Sequence, residues 1–587
     1  MCGIFGYVGQ QDKAAELVLS GLKLLEYRGY DSWGIAVKED NKIVVEKHIG
    51  KIGDAETVLP VSTIGIGHTR WATHGGVTVE NAHPHLDCTK QIAVLHNGII
   101  ENFQELKTEL QNKGHAFISE TDTEVFAHLV EEYTKTLDFP SSVREAFNRL
   151  TGLNAFLVMH SVSEEIIGLK NGSPLAVGIG INELFIASDI AGIIKYTDKI
   201  LFLKDHEMVI LGKDVQLFSL PAGEKLTTQV ETITWKIEQA QKGTYENFLI
   251  KEIHEQPLVI ENAATNLDSE VQHLAELIKN AFGTFMLGCG TASYAALAGT
   301  YLFSRIAKKH INFSIGSEFE YLEDYLTPES LIIAISQSGE TIDVIESINK
   351  AKEKNAKIVA LVNVLGSTLY RISDEKIVLG AGPEMAVIST KAYIAMVSVL
   401  ILLAFATADQ LRKAKEMLTN AAENVKMILD ENYLQRIDQI AQSISKKDHI
   451  YILGRGISYA VALEAALKIK ETSYVHAEGF AGGEMKHGVI ALIEKDTPCI
   501  IFAPNDETYD EIISNAAEVK ARGAYVIGIG PKNSQVFNEW FETADVQEAT
   551  LIPQIVISQL LAYYLAKARG LKDIDKPRNL AKSVTVK

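Results

Sequence analysis

Cysteine is scarce in this sequence. Its 587 residues include four, Cys2, Cys88, Cys289 and Cys499, too scattered for a disulfide framework and without metal-ligand spacing, which suggests a reducing compartment. Basic residues are outnumbered, 56 lysines and arginines against 75 aspartates and glutamates for a formal charge of −19. That balance argues against general nucleic-acid binding, because phosphate backbones are met by basic patches. Long apolar runs are missing. The longest candidate, residues 395–404, falls short of the ~20 residues a membrane span needs and reads as a core helix. No secretory leader is visible, since Gln10-Gln11-Asp12-Lys13 interrupts any apolar start. These absences set the expectation of a cytoplasmic protein with no nucleic-acid and no membrane partner.

What is present is an ordinary globular composition, 47% hydrophobic and 22% charged, in a chain too long for a single core. The stretch that organises it is Met1-Cys2-Gly3. Removal of the initiator methionine leaves Cys2 with a free α-amine beside its own thiol. Such an amine titrates near ~7.7–8.0, so a useful fraction is neutral and can take the thiol proton. The thiolate is the nucleophile, so one residue would supply attacker and base. The bland alternative is an accidental cysteine at a frayed end. Against it, residues 2–9 read as a strand that would hold the terminus in place.

Residues 12–29 suit an amphipathic helix ended by Gly29. Short strand-like segments follow at 34–37, 42–46, 64–69, 92–96, 155–159, 184–187 and 200–203, interrupted by helices at 101–113, 122–135 and 141–150. Mostly antiparallel strands with a few helices predict layered sheets covered by helices. Polar groups cluster at the predicted strand ends: His68-Thr69-Arg70-Trp71-Ala72-Thr73-His74-Gly75, Asn81-Ala82-His83-Pro84-His85, His96-Asn97-Gly98 and Glu120-Thr121-Asp122-Thr123-Glu124. Each has a dull explanation. Asn97-Gly98 is a tight-turn signature, Thr121 with Glu124 a capping box, and the histidines could be satisfied core groups. Together they supply what amide hydrolysis at a cysteine requires. Asn97 and the Gly98 N–H can donate to an oxyanion. Arg70 offers a fork for an α-carboxylate and Asp122 an acceptor for an α-ammonium, the two ends of a free amino acid such as glutamine.

Cys2-Gly3-Ile4, Tyr27-Arg28-Gly29-Tyr30-Asp31-Ser32, the run from Gly67 to Gly75 and His96-Asn97-Gly98 resemble the class II, N-terminal-nucleophile glutamine amidotransferase domain. The resemblance implies Cys2 as nucleophile and amine base, Asn97 and Gly98 as oxyanion hole, and Arg70, Thr73, His74 and Asp122 as glutamine ligands. The residue at Trp71 gates ammonia passage in that family. Trp33 departs from the pattern, where a small residue is usual, and is expected to alter packing near Arg28.

Periodicity weakens over 213–245, with the boundary near 240, and Pro257 is expected to start or kink a helix. The remainder repeats. The run 284–288 meets Cys289-Gly290-Thr291-Ala292-Ser293, echoed by 449–453 meeting Gly454-Arg455-Gly456-Ile457-Ser458; 331–335 and 357–362 are echoed by 499–503 and 525–529. Apolar strands alternating with helices predict a duplicated, doubly wound parallel sheet, with ligands beyond the carboxyl ends of its strands. There, Ser336-Gln337-Ser338-Gly339-Glu340-Thr341 forms a cradle of N–H and O–H donors at a helix start. It carries no lysine or arginine, which suits a small phosphate ester better than a nucleotide. A serine-rich cap is the bland reading, and Gly454-Arg455-Gly456 alone is weak. Lys468 and Glu471 share a helix face, either as a surface ion pair or as a proton-moving carboxylate tuned by a lysine. His487 sits in a glycine-bounded turn. A lysine in the tail could form an imine with a sugar carbonyl, although such tails are by default solvated.

The paired halves resemble sugar isomerase (SIS) domains. Residues 336–341, Val387-Ile388-Ser389-Thr390-Lys391, 484–488 and 576–586 resemble the family of isomerizing glutamine:fructose-6-phosphate aminotransferases across nearly the whole chain. The implied plan is an α+β, layered αββα N-terminal-nucleophile domain followed by two α/β SIS domains: glutaminase 1–215, linker 216–245, first SIS domain 246–435, second SIS domain 436–575 and a catalytic tail 576–587. The implied substrates are glutamine and fructose 6-phosphate, the implied assembly a homodimer, and no metal or organic cofactor is implied. Thr291, Ser336, Gln337, Ser338, Thr341, Val387 and Ser389 would contact the sugar phosphate. Lys582 would form a Schiff base, Glu471 move a proton between C1 and C2, His487 assist ring opening across the dimer, and Lys468 help manage the ammonia proton. Ala292 departs from the family pattern by lacking a hydroxyl. Two alternatives stay open: a glutaminase with another acceptor, such as phosphoribosyl pyrophosphate, and a sugar-phosphate sensor with a relic N-terminus.

Overall fold

The computed structural model describes residues 2–72, 75–233 and 242–584. They fall into two compact units, residues 1–241 with 581–587, and residues 242–580.

The N-terminal unit stacks two antiparallel sheets. One runs, edge to edge, Glu231–Thr232, Lys199–Phe202, Ala176–Ile179, Glu183–Ala187, Gly3–Gly9, Ile64–Arg70, Ser32–Glu39 and Lys42–Ile49. The other runs Lys225–Leu226, Val215–Ser219, Glu207–Leu211, Ile166–Asn171, Asn154–His160, Ile92–Gly98 and His85–Leu86. Strand alternation divides the core. Ile4, Ile66, Leu95, Leu157 and Ile186 meet between the sheets, whereas Phe5 turns outward, to where a Cβ on Gly21 of helix Ala14–Leu25 would sit. On the far side, Phe126, Val130 and Phe147 of helices Glu124–Thr134 and Phe139–Asn148 close over Phe156 and Leu169. This is the layered arrangement that the strand-and-helix pattern predicts.

Three local expectations change. Helix Glu124–Thr134 is not opened by a capping box: Thr121 bonds His85, and Glu124 reaches back to the Ser119 N–H at 2.7 Å. Asn97-Gly98 is the end of a strand rather than a turn, paired with Ala155 and Asn154. Trp33 stacks on His48, ring centroids 4.4 Å apart. The N-terminal unit also takes in strands Val215–Ser219, Lys225–Leu226 and Glu231–Thr232, so the stretch read as a linker from 216 contributes strands to its sheets.

The second unit contains two five-stranded parallel sheets of identical order. The first runs Ile311–Ile315, Thr284–Gly288, Leu331–Ser336, Lys357–Val362, Glu375–Val378; the second runs His476–Ala481, His449–Gly454, Pro498–Phe502, Tyr525–Gly530, Glu539–Glu542. The duplication extends to single dihedrals. Gly290 caps helix Thr291–Leu302 at φ 55°, ψ −126°, and Gly456 caps helix Ile457–Ser473 at φ 55°, ψ −132°, a left-handed φ that only glycine adopts without strain. Helices Lys391–Thr407 and Leu551–Ala568 are buried along their length in the core shared by both halves. The span Gln547–Ala568 is apolar and long enough to cross a membrane by composition, which corrects the expectation that no stretch reaches that length; 94% of its most apolar window is buried in the protein. Pro257 sits in the first turn of helix Gln256–Asn266, directly after helix Phe248–His254.

Candidate active sites

In the N-terminal unit, Gly3–Gly9 is an interior strand, paired on both sides with Glu183–Ala187 and Ile64–Arg70. The strand start at Gly3 and Ile4 is therefore held in place. The Gly3 N–H donates to the Thr69 hydroxyl and the Ile4 N–H to Ser188, both at 3.0 Å. Cys2 emerges at the strand end, half-buried. Its sulfur accepts the Trp71 N–H at 3.2 Å and its thiol lies 3.6 Å from the Trp71 carbonyl. The Cys2 carbonyl is held by Asn97 Nδ2 at 3.0 Å and Arg28 Nε at 3.2 Å. Arg28 is in turn fixed by a buried ion pair to Asp189 at 3.0 Å.

Asn97 is oriented from behind. His68 Nε2 lies 3.0 Å from both the Asn97 side-chain oxygen and the His96 carbonyl, two acceptors, so it carries the proton there. His68 Nδ1 must then accept from His83 Nδ1 at 3.1 Å, and the Thr123 hydroxyl donates to His83 Nε2 at 2.9 Å. His96 Nδ1, 2.9 Å from the same hydroxyl, completes the chain. Burial pushes His68 down to about 3 and holds His83 and His85 well below the ordinary histidine value. Neutral rings at His68 and His83 are what this donor–acceptor order requires. The histidines are thus satisfied core groups, but their order sets the direction of the Asn97 amide.

Gly98 has φ +130°, and a Cβ there would lie 2.1 Å from the Leu153 carbonyl, so no other residue fits this close approach. Arg70 donates to the carbonyls of Gly75 and Gly76 at 3.3 and 3.1 Å, and it interacts electrostatically with Cys2, Asp31 and Asp122. Asp122 accepts the Ile100 N–H at 2.8 Å. The structure thus brings Cys2, Arg70, Trp71, Asn97 and Gly98 onto adjoining strand ends, with Asp122 just before helix Glu124–Thr134. Thr73 and His74 lie outside the described residues.

In the second unit the hydroxyl-rich loop follows strand Leu331–Ser336 and opens helix Ile342–Glu353. Ser336 Oγ accepts the Gly339 N–H at 2.9 Å and lies 3.2 Å from the Thr341 hydroxyl; Ser338 Oγ accepts the Glu340 N–H at 3.1 Å. Glu340 faces away, its carboxylate accepting the Thr368 N–H at 2.8 Å. Gly339, at φ +65°, packs where a Cβ would meet Ser367 Oγ at 2.0 Å. The Val387 N–H donates to the Asp575 carbonyl at 2.9 Å, and the buried Ser389 hydroxyl has no partner among the described residues.

The neighbouring strand Thr284–Gly288 leads to Thr291 at the same carboxyl edge. Lys468 Nζ reaches it at 2.9 Å, and also lies 2.7 Å from Glu471 and 3.4 Å from Glu464. Lys468 is 1% exposed, so the surface ion-pair reading is excluded. Glu464 is the residue that sequence reasoning missed; its signal was the i, i+4 spacing to Lys468 on one helix face. Burial pushes Glu464 up to about 8. Burial lowers Lys468, but Glu464 and Glu471 more than reverse this and hold it above the ordinary lysine value. Burial thus favours the neutral acid at Glu464, while the carboxylates around Lys468 favour its cation. His487 is exposed at the end of a short 3-10 turn, Gly482–His487. Lys582 is half-buried and groups by its contacts with the N-terminal unit. Ala292 is buried against Gly288, where added atoms have little room. Four potential metal ligands also converge in the N-terminal unit, on Cys88, His115, His128 and Glu131, although their linear spacing gives no sign of it.

A cysteine at an anchored chain end beside an oriented amide donor, and an anion cradle on a duplicated parallel sheet, define a glutamine amidotransferase joined to sugar isomerase modules. The glutamine amidotransferase domain model matches residues 68–195, and the SIS domain model matches residues 277–406 and 443–565. The chain is 42% identical to the glutamine–fructose-6-phosphate aminotransferase [isomerizing] of Thermococcus kodakarensis and 43% identical to that of Pyrococcus horikoshii, with 100% of each chain covered in both cases. The solved C-terminal domain of glucosamine-fructose-6-phosphate aminotransferase from Francisella tularensis is 34% identical, with TM-score 0.52 over 56% of this chain and 98% of that one. The chain belongs to the isomerizing glutamine–fructose-6-phosphate aminotransferase family.

Proposed function

We propose that this protein transfers the amide nitrogen of glutamine to fructose 6-phosphate and isomerises the product, releasing glucosamine 6-phosphate and glutamate. The observation that carries the glutaminase half is the placement of Asn97 Nδ2 3.0 Å from the Cys2 carbonyl, beside the thiol and oriented by neutral His68. With Met1 removed, the Cys2 amine takes the thiol proton and the thiolate attacks the glutamine amide. Asn97 and the Gly98 N–H stabilise the oxyanion, and Arg70, Thr73, His74 and Asp122 hold the amino-acid end. Collapse of the intermediate expels ammonia and leaves an acyl-cysteine that water hydrolyses to glutamate.

In the second unit, Ser336, Gln337, Ser338 and Thr341 receive the phosphate at the start of helix Ile342–Glu353, with Thr291, Val387 and Ser389 along the sugar. Hydroxyl and N–H donors with a helix dipole suit a phosphate monoester. Lys582 condenses with the sugar carbonyl, releasing water. Glu471 moves the proton between C1 and C2, Lys468 helps manage the ammonia proton, and His487 assists ring opening from the other subunit of a homodimer. Ammonia passes within the protein, gated at Trp71, because free ammonia would be diluted and mostly protonated in water. Free, widely spaced cysteines suit a reducing cytoplasm. The deciding experiment incubates the purified protein with glutamine and fructose 6-phosphate. Equimolar glucosamine 6-phosphate and glutamate are expected, and glutamate without amino sugar contradicts the reading.

A further inference from the structure

We propose that Cys88, His115, His128 and Glu131 form a structural site for a four-coordinate divalent metal of the Zn2+ type. The ligands come from three separate elements. Cys88 lies in the turn after strand His85–Leu86, His115 follows helix Phe103–Asn112, and His128 with Glu131 share one face of helix Glu124–Thr134 at i, i+3. One ligand atom from each lies within 4.8 Å of all the others.

The individual spacings, which close hydrogen bonds among these side chains, also match those of ligands around one ion. Cys88 Sγ is 3.5 Å from His128 Nδ1 and 3.8 Å from His115 Nδ1; Glu131 Oε2 is 3.0 Å from His115 Nδ1 and 3.1 Å from His128 Nδ1. A tetrahedral zinc with ordinary bond lengths separates sulfur from nitrogen by about 3.6 Å and nitrogen from oxygen by about 3.3 Å. Both histidines turn the same atom, Nδ1, inward, and both set Nε2 against a carboxylate. His115 Nε2 lies 2.9 Å from Glu132 and His128 Nε2 3.7 Å from Glu124. For His115 that is the carboxylate–histidine support that fixes a metal-ligating imidazole, whereas His128 Nε2 is beyond hydrogen-bond reach of Glu124 and has no hydrogen-bond partner among the described residues.

The donor set selects the metal. A thiolate and two imidazoles are too soft for magnesium or calcium, which take oxygen ligands, and suit zinc. Thiolate, carboxylate, two neutral imidazoles and a dication sum to zero charge; the thiol proton is released to solvent on binding. Four protein ligands leave no open position, so the site is structural rather than catalytic. The exposed side of Cys88 supplies a way in, while both histidines are buried. An ion here ties the 86–92 turn and the 113–115 loop to the helix whose start carries Asp122 and Thr123, the latter holding His83 and His96 behind Asn97.

The test uses the full-length protein with Cys2→Ala, because the Cys2 thiol and amine would themselves bind metal. After chelator treatment, Co2+ is titrated in. One equivalent is expected to give the visible bands of a tetrahedral site and a near-ultraviolet sulfur-to-cobalt charge-transfer band, both displaced by Zn2+. Cys88→Ser, at an exposed position, should abolish the charge-transfer band and weaken binding at least about tenfold. It should also remove any Zn2+-dependent rise in the melting temperature. Absence of stoichiometric binding, or binding unchanged by both Cys88→Ser and His128→Gln, overturns the proposal.

Discussion

Lys468 Nζ lies 2.9 Å from the Thr291 hydroxyl, so a side chain of the second parallel half stands at the carboxyl edge of the first. Between them Glu464 is 0% exposed and pushed up to about 8 by burial, which makes it a neutral acid at pH 7. Glu464→Gln, which keeps shape and polarity, is expected to stay within a few-fold of the parent in ammonium-supported synthesis at pH 7. Glu471→Gln should fall by roughly 10²–10⁴ if that carboxylate moves the proton. Equal losses in the two variants would show that Glu464 works as an anion.

Cys2→Ala is expected to abolish glutamine-dependent synthesis and to leave synthesis from added ammonium within a few-fold. Steady-state assays with both nitrogen donors decide it. Loss with both donors would contradict separate thiol and sugar sites.

Asn97→Ala should lower glutaminase kcat by roughly 10²–10³, the usual cost of one oxyanion donor. His68 touches only the back of Asn97, so His68→Gln should lower kcat by a smaller factor and leave KM for glutamine nearly unchanged. A change confined to KM would mean that His68 acts in binding rather than in aiming the amide.

Acid should destabilise the N-terminal unit early. His68, His83 and His85 are held neutral by burial, His68 at about 3 against an ordinary 6.5. Above pH 6.5 both folded and unfolded forms are neutral at these rings and no stability is lost. Below it the unfolded chain binds protons that the folded one refuses, costing about 1.4 kcal/mol per pH unit for each ring. His128 has the opposite sign: burial lowers it, but Glu124 and Glu131 raise it further, and it offsets only one of the three. The hydrogen-exchange protection factors of strand Ile64–Arg70, which allow for the slower intrinsic exchange in acid, should drop steeply as pH falls from 6.5 toward 5. A flat profile would mean that the rings are charged in the folded state.

Borohydride added with fructose 6-phosphate should fix the sugar covalently on the protein, read as a mass increment on the peptide containing Lys582. Lys582→Ala should take up none. An increment retained in that variant would assign the imine to another lysine.

Much of this was legible because the pattern is written in periods of two and three to four residues. The strands at 92–96 and 155–159 and the three helices between 101 and 150 lie within a few residues of Ile92–Gly98, Asn154–His160 and helices Phe103–Asn112, Glu124–Thr134 and Phe139–Asn148. Strands Ala176–Ile179 and Glu207–Leu211 went unread because both are nearly all buried and show little alternation. Local signatures misled where tertiary partners won. Asn97-Gly98 reads as a turn, but the end of a paired strand claims it, and Thr121 reads as a cap, but His85 takes its hydroxyl. Glu464 and the Cys88 cluster were invisible for a different reason. Their meaning comes from neighbours brought from Thr291, 173 residues away, and from three separate elements.

The two parallel sheets share order and glycine dihedrals, yet the loops after their third strands differ in sign. Where the first copy has Ser336, Ser338 and Thr341, the second has Asp506 and Glu507, already committed to Arg305 at 3.3 and 2.8 Å. Under the proposed assignment the first loop offers neutral donors to a phosphate dianion, whereas the second presents carboxylates. The proposed sugar-phosphate loop of the first half therefore has no like-charged counterpart in the second, and calorimetric saturation with fructose 6-phosphate is expected to stop at one equivalent per chain.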